Sequence, residues 1–161
     1  MGQLGDLESL FILRHSFCTK DRLTEEGRTK LQPAIAQIKA LMREDGKLGI
    51  ITSHSRPTIE TAFHVADSLD PVDLIQGRML FTSPELAKGD FSAKDYQIVL
   101  DLMKKIPYIQ YLIVGHMEST AFLANQTLRT LGKTPPKEGL GFSRANGVYI
   151  PIPSGDYKLI G

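Results

Sequence analysis

Short apolar runs alternate along the chain with longer stretches in which apolar residues recur at helical spacing. Leu10-Phe11-Ile12-Leu13, Leu48-Gly49-Ile50-Ile51-Thr52 and Tyr111-Leu112-Ile113-Val114 are of strand length. Each lacks the polar alternation of a half-exposed strand, the pattern expected of strands covered on both faces. Leu31, Ile35, Ile38 and Leu41 recur at i, i+4, i+7 and i+10, one face of a helix. Thr24 is placed to cap that helix, and Pro33 within it is expected to kink or split it. Pro57 fits the first position of a second helix, with Ile59, Ala62, Phe63, Ala66 and Leu69 as its buried stripe. Ser92-Ala93-Lys94-Asp95 reads as a capping box opening a third helix, whose apolar stripe is Tyr96, Val99, Leu100 and Met103. Ala121, Ala124, Leu128 and Leu131 mark a fourth, closed by Gly132. Val148-Tyr149-Ile150 and Tyr157-Lys158-Leu159-Ile160, separated by Pro153-Ser154-Gly155, predict a C-terminal edge hairpin.

Strands alternating with helices predict a three-layer α/β/α sandwich with a mainly parallel sheet. The 161 residues are the length of one domain, expected to span 1–161. Lys plus Arg number 19 and Asp plus Glu 18, a net charge of +1. That balance argues against a nucleic-acid partner, which needs an electrostatic surplus. No apolar run approaches the roughly 20 residues of a membrane span, so no membrane partner is expected. A lone cysteine, Cys18, excludes an intrachain disulfide and a Cys-rich zinc site. The N-terminus lacks the pattern of a secretory signal, and a cytoplasmic location is the expectation. Oligomeric state is not legible at this level.

The chemistry gathers where the strands end. The first run stops at Arg14-His15, the second at Ser53-His54-Ser55-Arg56, the third at His116. In open α/β sheets ligands bind beyond the carboxyl ends of the strands, so these groups would share one rim. Arg forks match phosphate oxygens, helix N-termini receive anions, and a neutral imidazole is a nucleophile towards phosphorus. Taken singly, each residue is more often a solvated loop or capping residue. Together they leave two readings open, a phosphate pocket containing an imidazole and an ordinary polar rim.

Leu10-Phe-Ile-Leu-Arg14-His15 resembles the signature strand of the histidine phosphatase superfamily, the phosphoglycerate mutase-like fold. Leu23-Thr24-Glu-Glu-Gly27-Arg28, Thr52-Ser53-His-Ser-Arg56-Pro-Thr-Ile-Glu-Thr61-Ala62 and Tyr111-Leu-Ile-Val-Gly-His116 are similar to later family segments, in the family's order. The resemblance covers about residues 8 to 131. It implies that His15 is the nucleophile and that Arg14 and Arg56 hold the phosphate oxygens. His116 would complete the pocket, with Ser53 a lesser contact.

Three positions depart from the family pattern. Ser16 replaces the usual Gly after Arg-His, and its hydroxyl could add a phosphate contact. Arg56 lies five residues before Thr61 rather than four. In Leu86-Ala87-Lys88-Gly89-Asp90-Phe91 a lysine stands where relatives acting on esters commonly carry a glutamate, leaving Glu85 as the candidate proton donor. An alkoxide leaving group needs that donor, whereas a phosphoramidate nitrogen can be protonated before cleavage. The resemblance therefore points to the compact phosphohistidine phosphatase-like branch. The expected function is metal-independent, cofactor-free hydrolysis of phosphohistidine or another phosphoramidate through a phosphohistidine intermediate, the substrate being a phosphoprotein or a phosphorylated small molecule. The alternatives are a sugar-phosphate type of ester phosphatase and a catalytically weak phosphate-binding module, which the shifted Arg56 and Lys88 favour.

Overall fold

Along Ser9–Arg14 (β1) consecutive side chains are buried on both faces. Leu10 and Ile12 pack to one side, Phe11 and Leu13 to the other. The computed structural model describes residues 4–20, 22–69, 78–105 and 108–161. In chain order β1 is followed by a two-residue ribbon, Cys18–Thr19 (β2) and Arg22–Leu23 (β3), then by helix α1 (Glu25–Leu41), β4 (Leu48–Thr52) and α2 (Arg56–Leu69). Next come β5 (Arg78–Thr82), a 3-10 turn at Pro84–Ala87, α3 (Ala93–Lys104), β6 (Gln110–Gly115), α4 (Met117–Thr130), β7 (Gly147–Pro151) and β8 (Lys158–Ile160).

The main sheet has the order β5-β4-β6-β1-β7-β8. The first four strands are parallel; β7 runs antiparallel to β1, and β8 antiparallel to β7. One face packs Leu10, Ile12, Ile51, Tyr111 and Ile113 under α3 and α4. The other packs Phe11, Leu13, Leu48, Ile50 and Leu112 under α1 and α2. This is the expected α/β/α sandwich, closed by the C-terminal hairpin, in which β8 forms the edge. Ile38 of α1 is fully buried on that second face, where truncation to Ala costs about 2–5 kcal/mol.

Two expectations are corrected, and one strand is added. Pro33 does not split α1, which runs unbroken from Glu25 to Leu41. Both Pro33 and Thr29 are exposed, so water can satisfy the Thr29 carbonyl that loses its intrahelical donor. Phe63 is not part of the buried stripe of α2; it is 55% exposed. The buried face is made instead by Thr58, Thr61, Ala62, Val65, Ala66 and Leu69, with Ile59 half-buried. Finally, β5 pairs with β4 as a fourth parallel strand that the apolar runs did not announce.

Candidate active site

Parallel register brings four strand ends to one rim, with a one-residue offset between β4 and β6. The residues immediately after β5, β4, β6 and β1 are Ser83, Ser53, His116 and His15, in sheet order. The backbone ladder extends one step into this row: Ser83 N–H donates to Thr52 O (2.8 Å), Ser53 N–H to Val114 O (3.4 Å) and His15 N–H to Gly115 O (3.0 Å). With strands about 4.8 Å apart, side chains at adjacent positions meet.

His15 and His116 meet in this way. Their ring centroids lie 5.2 Å apart at 67°. His15 Nδ1 is 2.9 Å from the Ser16 carbonyl oxygen. A carbonyl only accepts, so Nδ1 carries the proton and Nε2 holds the free lone pair. His116 Nε2 lies 3.1 Å from Ser53 Oγ and 3.1 Å from Ser55 Oγ, and Thr58 Oγ1 closes the hydroxyl cluster against both serines. His116 also caps α4, its N–H donating to Ser119 Oγ at 3.0 Å. Ser119 thus completes the cap of α4 from the N3 position. Burial pushes the His15 pKa below its ordinary value, and Arg14 and Arg144 push the same way against the Ser16 bond. Burial likewise lowers that of His116, followed by the charge of His15, with Arg14 and His54 adding and Glu118 opposing. Both rings are held towards the neutral form.

Arg14 is half-buried, and its Nη1 donates to the Phe142 carbonyl at 2.8 Å. Its Nε is buried without a partner among the described residues. Burial lowers its pKa, then the charge of Arg144, while Glu118 raises it. The sequence places neither Arg144 nor Glu118, whose charges act here, at the site. Arg144 lies about 130 residues from His15 in sequence and had no motif to mark it. In the sequence Ser55 is marked only as part of a turn.

The loop after His15 is fixed from both helices on its side of the sheet. Ser16 N–H donates to Thr61 Oγ1 of α2 (3.1 Å), and its hydroxyl donates to the Gly27 carbonyl of α1 (2.7 Å). Ser16 is fully buried, so this hydroxyl faces the helix in the present arrangement. Thr24 caps α1 by accepting from Gly27 N–H (2.9 Å) and donates to the Phe17 carbonyl (3.1 Å). The Leu-Thr-x-x-Gly and Thr-Ala motifs therefore hold the loop that carries the imidazole.

The remaining sequence-named residues are not bonded to the ring pair. Arg56 is the first residue of α2, one beyond Ser55. It is exposed and its side chain has no hydrogen bond or ion pair with a described residue. Glu85 accepts from Ser83 Oγ at 2.8 Å, at the end of β5 and about 14 Å of strand spacing from β1. Lys88 donates to Asp95 Oδ1 at 3.0 Å. The Asp95 side chain is only 3% exposed and also accepts from the N–H and hydroxyl of Ser92, both at 2.9 Å. Lysine at 88 thus compensates the carboxylate that caps α3, which gives the departure from the family pattern a structural reason. Among the described residues no group of three or more His, Cys, Asp or Glu is placed to hold a metal ion, and no helix is long and apolar enough to cross a membrane.

No protein-family model and no curated relative matches the chain. Solved structures do match over nearly its whole length. The protein histidine phosphatase SixA complexed with tungstate is 19% identical, with a TM-score of 0.62, covering 94% of this chain and 93% of that one. A mycobacterial glucosyl-3-phosphoglycerate phosphatase with VO3 is 16% identical, with a TM-score of 0.61 and coverage of 94% and 97%. Phosphoglycerate mutase from Plasmodium falciparum is 15% identical, with a TM-score of 0.58 and coverage of 94% and 87%. The chain has the histidine phosphatase fold. At these identities the likeness is one of architecture. Within the histidine phosphatase fold, this chain sets two imidazoles, a cluster of hydroxyls and a half-buried guanidinium at the carboxyl ends of the parallel strands.

Proposed function

We propose that the protein is a phosphatase that passes its substrate's phosphoryl group through His15. The observation that carries this reading is the state of the His15 ring. Its Nδ1 proton is committed to the Ser16 carbonyl, which leaves the Nε2 lone pair free, and burial and two guanidiniums favour the neutral form. Nε2 attacks phosphorus, and the bond to the leaving group breaks as that group takes a proton. Water then attacks the phosphohistidine, orthophosphate leaves, and the Nε2 lone pair is restored. Arg14, His116, Ser53 and Arg56 hold the phosphoryl oxygens and stabilise the charge that gathers on them. That solved neighbours of the same fold are phosphatases, among them complexes with tungstate and VO3, supports the reading.

The substrate class we favour is a phosphoramidate, phosphohistidine on a protein first. The carboxylate nearest the usual acid position, Glu85, is bonded to Ser83, and Lys88 is bonded to Asp95. A leaving nitrogen that picks up its proton from water needs neither. An ester substrate would require Glu85 to turn from Ser83 towards the rim.

The test is a rapid-quench experiment with an aryl phosphate, whose good leaving group hides a missing acid. A burst of the aryl alcohol and a trapped phosphoryl group that is stable in base and labile in acid are expected, and His15→Ala should remove both. A trapped group that survives acid and leaves in base would move the nucleophile to a hydroxyl such as Ser53. Absence of turnover together with binding of inorganic phosphate would point to a phosphate-binding module.

A further inference from the structure

The loop leading into β7 is built with more restraint than a connection needs. Asn125 of α4 grips the backbone of Leu140 from both sides, Nδ2 donating to its carbonyl (2.9 Å) and Oδ1 accepting from its N–H (2.7 Å). Phe142 offers its carbonyl to Arg14 (2.8 Å). A turn over residues 143–146 follows, closed by Asn146 N–H to the Ser143 carbonyl at 3.1 Å. Within that turn Ala145 has φ +66°, a left-handed conformation that non-glycine residues adopt at a cost and that persists only where surroundings over-determine it. The surroundings do so here. Ala145 is 1% exposed, its N–H donates to the His15 carbonyl (3.2 Å), and Asn146 O accepts from Arg14 N–H (3.0 Å). The strained turn is bonded to the two residues that carry the nucleophile and its neighbouring cation.

At the exposed tip of this turn stands Arg144. Its guanidinium carbon lies 5.2 Å from the centroid of the Phe17 ring, two residues after His15. No carboxylate of a described residue pairs with it. Its positive charge lowers the pKa values of both Arg14 and His15. Convergence of like charges around a neutral imidazole is unfavourable until an anion arrives between them. Stacking on Phe17 restrains the guanidinium, so less side-chain freedom remains to be lost on binding.

We propose that Arg144 is a substrate-binding residue, a guanidinium that engages the phosphoryl group at His15 from the β7 side of the pocket, opposite the end of β4. The proposal rests on the phosphatase reading above and adds a residue that no motif marks. Kinetics with p-nitrophenyl phosphate and titration with inorganic phosphate, on wild type, Arg144→Gln, Arg144→Lys and Arg56→Gln, test it. Arg144 is exposed, so its variants should fold, and the melting temperature checks this. Arg144→Gln should lower kcat/KM by about 10 to 100-fold, the range for losing a hydrogen bond to a charged group, and weaken phosphate binding. Arg144→Lys should recover part of the loss, since charge returns without the fork. The groups acting on the His15 charge are Arg14, Arg144 and the Ser16 carbonyl, with His116 packed against its ring. Removing Arg144 should therefore move the acidic limb of the kcat/KM profile to higher pH, which a merely structural residue would not do. If wild type turns over while Arg144→Gln matches it in kcat/KM, phosphate affinity and acidic limb, this proposal is overturned alone. If wild type neither turns over nor binds phosphate, the phosphatase reading falls with it.

Discussion

Gly27→Ala tests whether α1 holds the nucleophile loop in place. A methyl built on Gly27 would sit 2.3 Å from the Phe17 carbonyl oxygen and 2.9 Å from Leu23 Cδ1. Leu23 can turn aside, but the carbonyl cannot. Thr24 fixes it with two bonds, from its N–H at 3.0 Å and its hydroxyl at 3.1 Å. Ordinary contact begins near 3.4 Å, so the shortfall is 3.4 − 2.3, or 1.1 Å. Two effects oppose each other. Alanine is favoured over glycine within a helix by at most about 1 kcal/mol. Forcing a methyl into a filled contact costs about 1–3 kcal/mol, and here it also strains the Thr24 bonds and the Ser16 hydroxyl bond to the Gly27 carbonyl. The overlap should win, lowering the melting temperature by about 2–4 °C per kcal/mol in a chain of this size. Relief by a shift of about 1 Å in the Ser16-Phe17 backbone would displace His15, and a misplacement of that size can lower activity about 10²-fold. Turnover of an aryl phosphate and a thermal melt read the two effects together. A Gly27→Ala protein with wild-type turnover and an unchanged or raised melting temperature would refute the idea that this close approach positions the imidazole.

Two further expectations follow from the site. Glu85→Gln should slow alkyl phosphates by about 10² to 10⁴-fold, the usual contribution of a general acid, and leave aryl phosphates and phosphoramidates nearly untouched. If that leaving-group dependence appears instead in Glu118→Gln, the proton enters from the first turn of α4, where the Glu118 charge already acts on Arg14 and His116. The second expectation concerns stability. His15, His64 and His116 all have pKa values below the ordinary 6.5 in the folded chain, burial being the first cause in each. Below about pH 6.5 the unfolded chain therefore binds protons that the folded chain does not. Stability should fall as pH drops through that value towards the depressed folded ones, by at most about 1.4 kcal/mol per pH unit for each unmatched proton. Chemical denaturation from about pH 7.5 down to 5.5 measures the slope, which His15→Asn combined with His116→Asn should flatten. A slope unchanged by that double variant would show that the rings are not held neutral.

The parts of this molecule that sequence reveals are those in which one local feature determines the outcome. Strands β1, β4 and β6 are covered on both faces and read as unbroken apolar runs, and the capping residues Thr24 and Ser92 stand where their side chains act. The strand ends followed from these, and with them the meeting of His15 and His116. What stayed hidden depends on contacts distant in sequence. Strand β5 lies at the sheet edge, where Leu80 and Phe81 are only half-buried, so its apolar signal is diluted. Phe63 sits at helical spacing yet faces out, because α2 packs its small residues Thr58, Thr61 and Ala62 towards the sheet and brings the helix close enough for Thr61 to reach the Ser16 N–H. Arg144 is the extreme case. The turn that carries it is tied to Arg14 and His15 by two backbone hydrogen bonds, a pairing that periodicity cannot report. Ala145 next to it breaks the preference for glycine at positive φ without any mark in the sequence. The residue that sets Lys88 apart from the family pattern, Asp95, was legible as a cap but not as an ion-pair partner, because the six intervening residues give no sign that the 3-10 turn folds back on α3. In each of these cases the missing information is a tertiary contact, and the contact is what moves the charge or hydroxyl into or away from the pocket.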